Sequence, residues 1–179
     1  MRQFDINDLL LKTAFSCMAC DGSIDEQELT LLKKLHNEEK LFGEIELSNA
    51  LDELLQCINE NSQKFLHDYF VELDVCGLSE VDELKIIEVA IDTIRADEKI
   101  EYSEIKFFKI IRSKLRIDND SILAIHPDYE EFLAQDIKND SYSQRLQNDY
   151  MSTITLPIFT DIDFVSIQKD INQGDEQPR

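Results

Sequence analysis

Six carboxylates at matched spacing are the residues of this chain best suited to chemistry. Asp21, Asp25 and Glu28 stand in Asp21-Gly22-Ser23-Ile24-Asp25-Glu26-Gln27-Glu28. Asp97, Glu101 and Glu104 stand at the same intervals in Asp97-Glu98-Lys99-Ile100-Glu101-Tyr102-Ser103-Glu104. The first stretch matches the second half of a calcium-binding EF-hand loop, where an acid, a glycine, a carbonyl donor, a buried Ile, another oxygen and a bidentate Glu follow in order. Calcium takes roughly six to eight oxygens, so the first half of the loop matters. The positions of the two early ligands hold Cys17 and Ala19 in one copy, and Thr93 and Arg95 in the other. An ordinary EF-hand is not expected. Two readings stay open. In one, internal symmetry pools all six carboxylates and a calcium or magnesium ion relieves their repulsion. In the other they are structural. Asp25 and Glu28 then cap a helix with capping-box spacing, Asp21 and Asp97 close turns, and Ile24 and Ile100 plug the core.

Other chemistries find little support. Four glycines lie far apart, which leaves no phosphate-cradling loop, and neither GxSxG nor HExxH occurs. His36, His67 and His126 show no ligand spacing and read as surface or cap residues. Cys17 and Cys20 form a CxxC on a predicted helix without a second such pair. With Cys57 and Cys76 they are expected to be buried, reduced thiols rather than a zinc site. No enzyme is expected. The 38 Asp and Glu against 18 Lys and Arg give a net charge of −20. Such a surface repels phosphate backbones and anionic membranes, so direct nucleic-acid binding is not expected, whereas cations and basic partners are favoured. No apolar run approaches the ~20 residues of a membrane span, and the acidic amino end lacks a signal-peptide pattern. A cytoplasmic location follows as the expectation.

The elements that must position the acidic stretches are helices, and they repeat. Ala14 aligns with Ala90, Phe15 with Ile91, Leu31 and Leu32 with Phe107 and Phe108, and Lys33 with Lys109. A repeat of this extent predicts two similar helix–loop–helix units packed together. Apolar residues at helical spacing predict a first helix from about Ile6 to Cys20, a second capped by Asp25 and ending near Gly43, and a third carrying Ile45, Leu51, Leu54, Leu55 and Ile58. A fourth starts at Asn61 or Ser62 and ends at Gly77, a fifth is capped by Ser79, a sixth begins at Ser103, and a short seventh runs from Asp120 to Ile125. The fold class is thus all-α: a compact bundle of about seven helices over residues 1–126, built on two pseudo-symmetric repeats. Residues 127–179 form a C-terminal extension. It is expected to hold helices at Tyr129–Lys138 and Tyr142–Tyr150, an extended apolar stretch Ile154–Phe159, a short helix around Phe164, Val165, Ile167 and Ile171, and a disordered end from Gln173. The extension either packs on the parent bundle or serves as a docking arm for another chain, a second copy included.

The turn Met18-Ala19-Cys20-Asp21-Gly22-Ser23-Ile24-Asp25-Glu26-Gln27-Glu28, with its weaker copy Ala96-Asp97-Glu98-Lys99-Ile100-Glu101-Tyr102-Ser103-Glu104, resembles the signature of the TerB family, the tellurite-resistance-associated helical domain. The resemblance covers about residues 1–126. It implies a compact bundle of about seven helices and a non-catalytic role in bacterial stress response or phage defence. The implied partner is a protein such as a nuclease, an ATPase or a membrane-associated component. The family's acidic positions, suspected of metal binding, fall on Asp21, Glu28, Asp97 and Glu104. Glu98 in place of the second glycine, and Arg95 beside the second loop, depart from the pattern. On this basis the chain is expected to be an accessory or scaffold subunit that binds through an acidic helical surface and an apolar C-terminal arm. The alternative is a calcium or magnesium sensor.

Overall fold

The structure, a computed structural model, describes residues 5–133, 140–165 and 167, and no strand occurs among them. Helix α1 (Ile6–Ala19) is the centre of the molecule. Every residue from Leu9 to Cys20 except Lys12 is buried. A helix apolar nearly all round belongs inside a core rather than at its edge. Its main partner is α5 (Glu80–Ile94), the equivalent helix of the second repeat. The aligned residues Ala14 and Ala90, and Phe15 and Ile91, are all fully buried. The two repeats therefore meet through their first helices, and α2 (Glu26–Asn37) and α6 (Tyr102–Lys114) are the second helices of the two units. Between the repeats run α3 (Leu47–Glu60) and α4 (Ser62–Val75), a helical hairpin that turns on Asn61. The Asn61 side chain accepts from Lys64 N–H at 2.9 Å and so caps α4.

Several boundaries differ from the sequence reading. The second helix stops at Asn37, short of Gly43. Lys40 takes a left-handed conformation (φ 53°), and Leu41 N–H bonds back to Leu35 O at 3.1 Å. The chain thus turns away from α2 through a left-handed residue that is not glycine. The turn that follows leaves Ile45 outside α3 and 38% exposed, so it does not belong to the third helix's buried face. The sixth helix begins at Tyr102 with Glu101 as its cap, one residue before the expected Ser103. The short α7 (Asn119–Ile125) starts one residue before the expected Asp120, and a tight turn at Pro127–Tyr129 follows it, so Tyr129 belongs to this turn rather than to the start of the next helix.

Described residues after Pro127 share the bundle's core. The short α8 (Glu130–Leu133) falls within the helix expected at Tyr129–Lys138, whose residues 134–138 lie outside the described residues. Helix α9 (Asp140–Thr153) packs on α6, where Tyr150 meets Phe107 at 5.7 Å between ring centroids. Beyond it Ile154–Phe159 carries no helix, in keeping with the proline at 157. Tyr129, Phe132, Leu133, Tyr150, Phe159, Phe164 and Ile167 all join the same hydrophobic cluster as α1 and α5. A side-chain amide fastens this stretch. Asn59 accepts from Phe159 N–H at 2.8 Å and donates to Phe159 O at 3.0 Å. The backbone is helical at Val165 and Ile167; Ile171 and residues 173–179 lie outside the described residues.

Candidate functional site

The two acidic corners have the same construction. Asp21 accepts from Ser23 N–H at 2.8 Å, and Asp97 from Lys99 N–H at 2.9 Å; each carboxylate closes the turn that leaves the preceding helix. The next residue is left-handed in both, Gly22 at φ 91° and Glu98 at φ 61°. Then comes a complete capping box. Asp25 N–H donates to Glu28 Oε2 at 2.8 Å while the Asp25 side chain accepts from the backbone of Glu28. Glu101 N–H donates to Glu104 Oε2 at 2.7 Å with the same reciprocal bond. Orphan amides at the starts of α2 and α6 are thereby satisfied. The residue at the twelfth EF-hand position, which in a calcium loop would hold the ion from two sides, here holds backbone.

Burial sets the electrostatics. Glu28 and Glu104 are only 6% and 4% exposed. Desolvation pushes Glu28 up to about 8, helped by the negative charges of Asp21, Asp25 and Glu104 and opposed by the bond from Asp25 N–H. Desolvation likewise pushes Glu104 up to about 7, helped by Asp21, Asp97 and Glu101 and opposed by the bond from Glu101 N–H. Asp21 acts on both, so the internal symmetry does bring the two corners within electrostatic reach. It does not gather all six side chains at a point: among the described residues no three His, Cys, Asp or Glu side chains are grouped as a metal ion requires. Asp25 and Glu101 lie exposed at their helix starts, and Asp21 is exposed above the first corner.

The corners differ in their cover. A β-carbon on Gly22 would sit 3.2 Å from Pro157 Cδ, so the C-terminal stretch lies against the first corner. Ile24 is partly buried against the core, whereas Ile100 is 44% exposed and plugs nothing. Arg95 does not project into the second loop. It reaches Asp128 Oδ2 at 2.7 Å, Asp128 O at 2.9 Å and Glu131 at 3.4 Å, and lies over the rings of Tyr129 and Phe132. Its charge anchors the start of the extension.

The thiols and imidazoles divide by burial. Cys17 and Cys20 are buried, and desolvation raises both thiols well above the ordinary value; Cys20 donates to Cys17 O at 3.1 Å. Cys57, in contrast, is exposed and Cys76 only partly buried, which corrects the expectation that all four are buried. His36 is buried rather than a surface cap, stacked on Phe42 with burial lowering its affinity for a proton. His126 meets Glu88 at 2.6 Å and stacks on Tyr129 at 4.5 Å. This pair lines a cleft of about 250 Å³ with Glu39, Lys85 and Asp92. Glu88 and His126 lie 38 positions apart on different elements, and nothing in local spacing links them.

Fold and corners together define an all-α bundle with duplicated, carboxylate-capped helix turns. No family model matches the chain, and no curated protein or solved structure shows significant similarity to it.

Proposed function

We propose that this chain is a TerB-like accessory protein, without catalysis of its own, that holds a protein partner through its acidic helical surface in a bacterial stress-response or phage-defence setting. One observation carries the reading. The repeat's Glu28 and Glu104 turn inward onto backbone amides, while the outer faces of α3 and α4 present Asp52, Glu53, Glu60, Asp68 and Asp74 to solvent. The inward acids make the fold and the outward acids recognise. A nuclease, an ATPase or a membrane-associated protein with a basic face suits such a surface. The chain itself has no helix, among the described residues, long and apolar enough to cross a membrane. The C-terminal arm has a smaller part than its composition suggests. Phe159, Phe164 and Ile167 are buried in the chain's own core, and Ile158 and Val165 remain exposed as its contact residues.

The test is affinity capture by the full chain at low and high salt, beside a variant with Asp52, Glu53, Glu60, Asp68 and Asp74 changed to their amides. The expected result is a partner lost both in salt and in the variant. Equal capture by the two proteins overturns the reading.

The cation sensor stays as a second reading because the charge of Asp21 reaches both Glu28 and Glu104. It requires these two side chains to leave their capping boxes. Calorimetry with millimolar calcium or magnesium decides: heat together with a raised melting temperature supports it, and neither rejects it.

A further inference from the structure

The geometry points to a docking groove for a cationic amphipathic helix between α3 and α4, closed at its base by α1. This rests on the partner-binding reading above and names the chemistry of the partner's contact segment. The groove has a volume of about 570 Å³. Its floor is apolar, made by Leu11, Leu54 and Phe65. Phe65 is held in place edge-on to Phe15, with ring centroids 5.9 Å apart.

One rim is acidic over two helical turns. Glu53, Cys57 and Glu60 follow at i, i+4 and i+7 on α3, so all three line the same side. The lysines inside the groove are committed to other acids. Lys12 binds Asp8 at 2.8 Å and Glu72 at 3.0 Å, and Lys64 pairs with Asp68. The α3 rim thus keeps its negative charge. An apolar floor beneath an acidic rim two helical turns long is the complement of an amphipathic helix with an apolar face and lysine or arginine along its flank. Charge brings the segment in and orients it; the floor holds it.

The probe is a synthetic helix with leucines along one face and lysines elsewhere, titrated against the full chain. A leucine-free lysine peptide and a leucine–glutamate peptide are the comparisons. Glu53→Gln with Glu60→Gln is expected to weaken binding of the leucine–lysine peptide by roughly tenfold. Glu38→Gln with Glu39→Gln removes as many charges from another face and is expected to leave it within about twofold. The bound peptide is also expected to slow alkylation of the exposed Cys57 and to leave that of Cys76 unchanged. Equal losses from both pairs of substitutions, equal binding of the leucine-free peptide, or no protection of Cys57 would each overturn the groove. The two readings fail separately: capture that persists in the Glu53, Glu60 variant but disappears when all five outward acids are changed removes the groove and keeps the acidic surface, whereas capture that survives all five changes removes the partner reading.

Discussion

Glu28 and Glu104 tie stability to pH in a direction opposite to that of ordinary paired carboxylates. Their values in the folded protein, about 8 and about 7, lie above the ordinary 4.5, so the folded state keeps protons that the unfolded chain releases. Their contribution is complete below 4.5 and is lost as pH rises through about 7 and then about 8. Thermal melts from about pH 5 to pH 9 are expected to show the protein losing stability toward the alkaline side. Glu28→Gln with Glu104→Gln, which keeps capping-box chemistry, is expected to flatten that slope. An unchanged slope would mean that neither carboxyl is displaced from its ordinary range. The left-handed residues give a second pair of measurements. Gly22→Ala is expected to cost about 1–2 kcal/mol, because a side chain resists φ 91° and meets Pro157. Glu98→Gly relieves the same conformation in the other corner. Part of that gain is offset by the greater backbone freedom of glycine when unfolded, leaving up to about 1 kcal/mol of stabilisation. Chemical denaturation of the two variants checks both signs.

A clasp between two residues a hundred positions apart joins α3 to the stretch that follows α9. Asn59→Ala removes both bonds to Phe159. The expected cost is about 1–2 kcal/mol, with faster amide exchange at Phe159 and earlier proteolysis near Ile158 while α1 and α5 stay protected. Exchange rising equally in α1 would show that the stretch is part of the global fold rather than a separate flap. The helices themselves were legible in the sequence because apolar period and caps are local: Asp25, Asn61 and Ser79 each cap the helix assigned to them. The matched corners were legible for the same reason. What was not legible depends on distant chain. His36 reads as a helix end until Phe42 folds back beside it, Ile100 reads as a core residue until its corner is found less covered, and Arg95 reads as a loop charge until Asp128 arrives. The choice between ligand and cap for Glu28 was also hidden, since both roles use the same spacing and differ only in where the side chain turns.

The molecule as a whole carries its net charge of −20 on a small surface, and self-repulsion works against compaction. Added monovalent salt is expected to raise the melting temperature between about 10 and 200 mM, most steeply at the low end where the screening length shortens fastest. Calcium chloride at matched ionic strength is expected to add no further rise. A specific increment would identify cation binding at the corners. The contact of Pro157 with the first corner has a further meaning while the chain is being made. Gly22 leaves the ribosome well over a hundred residues before Pro157, so the first corner is built bare and roofed last. A nascent chain stalled before Pro157 would show any vectorial chaperone a face that the finished protein conceals.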